Sequence, residues 1–433
     1  MLNKILNVPL PRLIPIKQKF IRTEIHDIPG EVIRLYRTSS QRTVVKHGDR
    51  IAIAVGSRGI FGIDQIIRAL IIELKDQGAS PFIIPAMGSH GGATAEGQIE
   101  VLAGLGITEA IMGVPIVSSL DVVEVGKTIR GTPVFVDKEA VNSDGLIVIN
   151  RIKPHTGFKG ALESGLCKMM MIGLGNQKGA NQAHQLGFGI FPVLLQEVAQ
   201  IVMANTPFLF GLGIVENGYD RPAILEFMDQ ETLVAREIEL LSVAKTLLPH
   251  FYFDDIDVLI VQEMGKEISG PGIDPNVTGR SPSPFFKREL ITAPNINKIV
   301  VLSLTEKSHG NATGMGIADV TTQRLFDSIN FTSTYANTIT AGILNASKIP
   351  IIMPSDYYAV QVALNACLGV QHPNSKVVWI KNTLQLEQIY VSEAYLPVME
   401  GNPNLKVQGD PFEFPFTKDG GLLLERYYKK LRR

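Results

Sequence analysis

Three apolar runs within the first 150 residues each end in a polar cluster flanked by glycine, and this pattern restricts the fold more than any other feature. The runs are RIAIAV (50–55), SPFIIP (80–85) and GLIVIN (145–150). They lead into Ser57-Arg58-Gly59, Gly88-Ser89-His90-Gly91-Gly92 and Lys153-Pro154-His155-Thr156-Gly157. Short apolar runs bounded by turn residues read as buried strands. IDQIIRALIIELKDQG (63–78) follows the first, with apolar residues at helical spacing and a stop at Gly78. AEGQIEVLAGLG (95–106) follows the second, with Thr94 as its N-cap. The alternation calls for a parallel sheet covered by helices. All three junctions then fall on one sheet edge, where ligands collect in folds of this kind.

The same reading continues along the chain. VPIVSSL (114–120) is expected as a strand, and 122–142 as a hairpin turning near Arg130–Gly131. Residues 189–206 and 231–249 read as helices, and 207–229 as strand, turn and strand. Residues 1–48 read as short strand-like pieces broken by proline and glycine. A new strand begins in FDDIDVLIVQEM (253–264), with later strands at 297–304, 348–356 and 376–382 and a helix at 335–346. The expected fold class is α/β: two α/β domains with mainly parallel sheets, 1–250 and 251–433, and an active site in the cleft between them.

Composition removes several functions. The net charge is −1 and the isoelectric point about 6.7, without the basic excess of a nucleic-acid binder. The two cysteines, Cys167 and Cys367, make neither a disulfide framework nor a zinc pattern. Pro9, Pro11 and Pro15 interrupt the first apolar run, so no signal peptide is expected. No uninterrupted apolar run reaches the roughly 18 residues of a membrane span. A cytoplasmic protein without nucleic-acid or membrane partners is expected.

Residues 151–184 concentrate the chemistry, with His155, His184, four lysines, six glycines and Cys167. An arginine at a strand end can grip a carboxylate with two hydrogen bonds. Two histidines facing one point can serve as bases for opposite faces of a substrate. Each residue also has a plainer reading. His90 could be a turn residue, Arg58 a surface ion-pair partner, His184 a structural residue and Lys168 a snorkelling helix lysine. Cys167 and Met169–Met171 read as core.

The motifs AMGSHGGAT (86–94) and KPHTGFKG (153–160), then a lysine and a later histidine, resemble the nickel-pincer-dependent lactate racemase family. The resemblance covers roughly residues 45–220. It implies that His90 and His155 are the two catalytic histidines. It also implies that Lys168, ahead of Met-Met-Met-Ile-Gly173, carries a pyridinium-3,5-dithiocarboxylic-acid-type mononucleotide. His184, 16 positions beyond Lys168, would ligate nickel. Gly88 and Ser89 would approach the cofactor, and Arg58 would hold the substrate carboxylate. Lys159 is a rival attachment lysine, but its spacing to His184 does not match. The family's Asp-x-Thr-Arg-Pro loop is here Val55-Gly56-Ser57-Arg58-Gly59, which keeps the arginine and loses the acid.

In the second half, Lys266, Glu267 and His309 are the residues expected to select the substrate. The implied reaction is racemisation or epimerisation of a 2-hydroxy acid, a sugar acid being one option. One histidine takes the hydroxyl proton while the α-hydride leaves, and the other returns a proton on the opposite face. The implied partners are the cofactor-building enzymes and the hydroxy acid, and a homo-oligomer is compatible. A heterologous host lacking those enzymes would yield protein without cofactor. Two alternatives keep the fold: a different redox or dehydratase reaction, or a metabolite-binding protein without cofactor.

Overall fold

The structure is a computed structural model that describes residues 6–423. The chain divides into two compact units. Ile21–Leu248 form the first. The segment up to Phe20, which holds strand β1 (Leu13–Gln18), joins the chain from Pro249 onward in the second. The two units meet in the chain at Leu248–Pro249, and residues 6–20 lie outside the first unit.

The first unit is built on a five-stranded sheet. In chain order its hairpin and sheet strands are β2 (Arg50–Val55), β3 (Ser80–Pro85), β4 (Val122–Lys127), β5 (Pro133–Asp137), β6 (Gly145–Arg151), β7 (Phe208–Glu216) and β8 (Pro222–Met228). The main sheet runs β3-β2-β6-β7-β8, parallel except for the antiparallel β7–β8 pair. β4 and β5 form a separate antiparallel hairpin. Gly131, in the turn, has a φ of +78°, where a Cβ would be strained.

Side chains alternate across the sheet as strand geometry requires. Ile51, Ile53 and Val55 of β2 enter the core beneath helices Ile28–Thr38 and Ile63–Asp76. Ala52 and Ala54 face the opposite core, against Met169, Met170 and Met171. Helix Phe191–Asn205 packs in that second core through Leu195, Ala199 and Val202, all fully buried. The stretch Phe188–Asn205 is long and apolar enough to cross a membrane by length and composition.

Two local expectations are corrected. Residues 28–38 are a helix rather than strand-like pieces. Pro29 suggests a break in sequence, but it occupies the first turn, where no backbone donor is needed. Asp27 caps Gly30 N at 2.9 Å, and Ile28, Val32 and Tyr36 form the buried stripe. Residues 114–120 make only one bridge, Ile116 to Ile83, and no strand.

The second unit carries an eight-stranded sheet. Its remaining strands are β9 (Asp255–Val261), β10 (Asn295–Val301), β11 (Val320–Thr322), β12 (Ile351–Met353), β13 (Val377–Ile380), β14 (Gln388–Ser392) and β15 (Leu405–Val407). The order is β12-β11-β10-β9-β13-β14-β1-β15. The first five run parallel, and β14, β1 and β15 add antiparallel pairings. Both units are thus the α/β, largely parallel class expected.

Candidate active site

Because β3, β2 and β6 are parallel neighbours, the loops that leave their C-terminal ends meet over one sheet edge. They enclose a cavity of about 280 Å³. Arg58, Ser89, His90, His155, Lys168 and His184 all line it. Gly88 does not. Its φ of +61° sets the turn instead, and an added Cβ would meet Ile172 O at 3.1 Å and Ala180 Cβ at 3.3 Å. Sequence reasoning does not single out Asn150, Arg151, Met169 or Ile172, which also line the cavity. The first two end β6, so their position at a strand terminus is the available signal.

Lys168 and His184 share this cavity only because the helix between them is broken. A continuous helix would separate residues 16 apart by about 24 Å along its axis. Instead a short helix, Leu166–Lys168, passes into a π-helical turn, Met169–Gly173. Asn176 then adopts a φ of +48°, and a new helix, Asn176–Gln185, carries His184. A π turn interrupts a helix at a cost and is commonest at functional sites. Gly173 makes this turn possible: a Cβ there would lie 2.5 Å from Ala86 O and 2.6 Å from Met169 Sδ. Buried Glu237 holds the start of the segment, accepting from Cys167 N at 3.0 Å. Burial raises its pKa to about 7.

The site is strongly cationic. Arg58, Arg151, Lys153 and Lys168 line it with three histidines, and no Asp or Glu does. Arg151 is paired with Glu216, outside the lining. Desolvation, then the like charges of Arg58 and Lys153, push the Lys168 pKa down to about 8. Among the described residues none accepts a hydrogen bond from its ammonium. Although Arg58 is exposed as a whole residue, desolvation of its charge and then Arg151 lower its pKa. Lys159, the rival lysine, does not line the cavity. Its side chain is fully buried in an ion pair with Glu163 at 3.2 Å, and that pairing leaves Lys168 as the amine open to a ligand.

The three histidines are held differently. His90 Nδ1 is hydrogen-bonded to Ser57 Oγ. His155 stacks on Phe158 with ring centres 4.3 Å apart, and its Nδ1 accepts from Gly157 N at 2.9 Å. Burial, then Lys168, Lys159, Lys153 and His184, push its pKa well below the ordinary value. His184 meets Phe188 edge-on at 5.6 Å, and burial followed by Lys168 lowers its pKa.

Every residue lining the cavity lies between 56 and 184. Residues 21–193 match the family model of the lactate racemase N-terminal domain. Over that span the first unit is lactate racemase-like. Solved structures extend the likeness in fold. The lactate racemase apoprotein from Thermoanaerobacterium thermosaccharolyticum aligns with a TM-score of 0.53 at 13% identity, covering 86% of this chain and 98% of that one. A structural-genomics protein from Thermotoga maritima aligns at 0.50 and 12% identity, covering 82% and 96%. No curated protein matches the sequence.

Within the racemase-like domain, then, the cavity holds the six polar residues that the sequence singles out. Lys266, Glu267 and His309 belong to the second unit and gather around Ser308. Lys266 N donates to Ser308 Oγ at 2.9 Å, and Ser308 Oγ donates to Glu267 at 3.2 Å. The Lys266 ammonium reaches Gly270 O at 2.7 Å and Asn337 Oδ1 at 2.6 Å. His309 holds a left-handed φ of +47°.

Proposed function

We propose that the chain is a racemase or epimerase of a 2-hydroxy acid that depends on a nickel-pincer nucleotide. One observation carries the reading: Lys168, whose amine meets no hydrogen-bond acceptor among the described residues, and His184 line one cationic cavity with His90 and His155. A buried amine with a depressed pKa holds a usable fraction of its neutral, nucleophilic form near neutral pH, which covalent attachment requires. The cations suit a phosphate-bearing group. Among the described residues no three His, Cys, Asp or Glu groups converge on a point. A single imidazole such as His184 therefore suits a metal whose other, softer donors arrive with the nucleotide.

In this reading Lys168 carries the nucleotide and His184 supplies the protein's nitrogen donor to nickel. When bound, the group supplies an acceptor and donor for the α-hydride of the substrate. Arg58 binds the carboxylate, and its fork geometry orients the α-carbon. His90 and His155 hold and move the hydroxyl proton. Ser57 fixes His90, and Phe158 supports the ring of His155. For Lys266, Glu267 and His309 the proposed role is substrate selection.

The test is peptide mass spectrometry and nickel analysis of protein co-expressed with the cofactor-building enzymes. It is followed by polarimetry on single enantiomers of 2-hydroxy acids, sugar acids included. A nucleotide-sized adduct on Lys168, stoichiometric nickel and loss of optical rotation without net oxidation are expected. Unmodified Lys168 under those conditions rejects the cofactor. An adduct with oxidised or dehydrated product keeps the cofactor and changes the reaction.

A further inference from the structure

The helical turn that carries Lys168 is held at its start by two side chains from different elements. Gly165 O accepts the first helical bond, from Met169 N at 3.1 Å, and a second bond from Asn150 Nδ2 at 2.8 Å. Asn150 stands near the end of β6 and lines the cavity. Two residues on, Cys167 N donates to Glu237 Oε2 at 3.0 Å. Glu237 belongs to the helix Leu233–Leu247, is 1% exposed and does not line the cavity. Its other oxygen, Oε1, is buried and meets no hydrogen-bond partner among the described residues. That oxygen stands where a side chain at position 165 would begin, since a Cβ built on Gly165 would lie 2.1 Å from it. The neighbours of Glu237 on the buried helix face are Leu233, Leu240 and Leu241. A leucine would complete that apolar stripe without desolvating a carboxyl. The carboxyl is thus not needed to form the helix, and the group it serves is the amide of Cys167.

We propose that Asn150 and Glu237 are positioning residues for Lys168: from the strand end and from the helix they fix Gly165 and Cys167, and so hold the lysine amine inside the cavity, aimed for attachment. This rests on the reading of Lys168 as the residue that carries the nucleotide. Lys168 follows Cys167 in the same turn. Fixing the carbonyl at the start of the turn and an amide within it leaves the Cα–Cβ direction of Lys168 little freedom. The amine so held lies among the charges of Arg58 and Lys153 and is poorly solvated, which keeps part of it neutral. With the turn released, the long side chain would carry its charge out towards water. Neither Asn150 nor Glu237 enters the proton transfers assigned to His90 and His155.

The experiment uses the full chain without cofactor. Acetylation of Lys168 by acetic anhydride is timed by peptide mass spectrometry at pH 8, near the folded pKa of the amine. The melting temperature of each variant is measured alongside. Wild-type protein is expected to react at Lys168 and not at the buried Lys159. Asn150→Ala and Glu237→Leu are each expected to slow the reaction about tenfold, as the amine regains an ordinary affinity for its proton. Glu237→Gln keeps an oxygen facing Cys167 N and is expected to react at the wild-type rate. Glu237→Met replaces Glu237→Leu if that chain does not fold. A wild-type rate in Asn150→Ala overturns the role of Asn150. A wild-type rate in Glu237→Leu, or a slowed rate in a Glu237→Gln protein that melts with the wild type, overturns the role of Glu237. Acetylation is read without cofactor, so it stands or falls apart from the nucleotide adduct. A wild-type protein that never gains the adduct rejects the function, while the acetylation rates report the turn.

Discussion

At the residue scale, Lys168 shows how a single side chain exchanges stability for chemistry. Its folded pKa of about 8 lies below the ordinary 10.5. The unfolded chain therefore binds the proton more tightly, and folding is penalised wherever the folded lysine is still charged. A tenfold loss of proton affinity corresponds to about 1.4 kcal/mol, so the penalty below pH 8 is at most about 3.5 kcal/mol. It fades as pH rises from 8 towards 10.5, and stability in that window rises with pH. Lys168→Met is accordingly expected to raise the calorimetric melting temperature by several degrees at pH 7. The advantage should shrink as pH approaches 10.5. A variant no more stable than wild type at pH 7 would show that the ammonium is well solvated. Nothing in the composition announces this. The sequence shows a lysine among methionines, and only packing shows that none of the described residues offers it an acceptor.

At the scale of the element, the unit that matters is the broken helix from Leu166 to Gln185. Three buried methionines anchor it against the alanines of β2, and Gly173 lets its π turn approach the end of β3. Gly173→Ala pushes a methyl into Ala86 O, a backbone atom that cannot step aside. Overpacking of this kind costs about 1–3 kcal/mol. The expected outcome is a lower urea midpoint together with loss of adduct formation on Lys168, read by mass spectrometry. A variant that loses stability but still accepts the nucleotide would mean that the π turn is structural only. Here the sequence is partly legible. The strands, their junctions and the spacing of Lys168 to His184 can be read directly, because period and turn chemistry are local. The helix break cannot, because Asn176 at positive φ has no sequence mark distinguishing it from an ordinary polar residue. The helix at 28–38 escapes the sequence reading for a related reason: the same proline that stops a helix also starts one.

For the whole molecule, the chain's first described strand belongs to the sheet built mostly from its last third. β1 lies between β14 and β15, and Leu13, Ile14 and Ile16 are almost entirely buried there. At about 1.5–3 kcal/mol for each fully buried side chain, the three contribute roughly 5–9 kcal/mol. That is comparable with the total stability of a typical domain. Deleting residues 1–20 is thus expected to expose the segment after Pro249 to limited proteolysis, with the Ile21–Leu248 unit left resistant. Equal protection of both segments would show that the eight-stranded sheet closes without β1.

The α/β class, the three polar strand ends and the residue types from which a site could be made are legible in the linear chain. Those follow from hydrophobic period and from glycine and proline chemistry, which act within a few residues. Tertiary structure decided which of those residues share a cavity and in what electrostatic state. It buried Lys159 against Glu163 and left the Lys168 amine open. It set His155 on Gly157 and returned β1 to the second unit. Each of these depends on a partner brought near by folding, and the desolvation and pairing that tune a side chain have no counterpart in a linear chain.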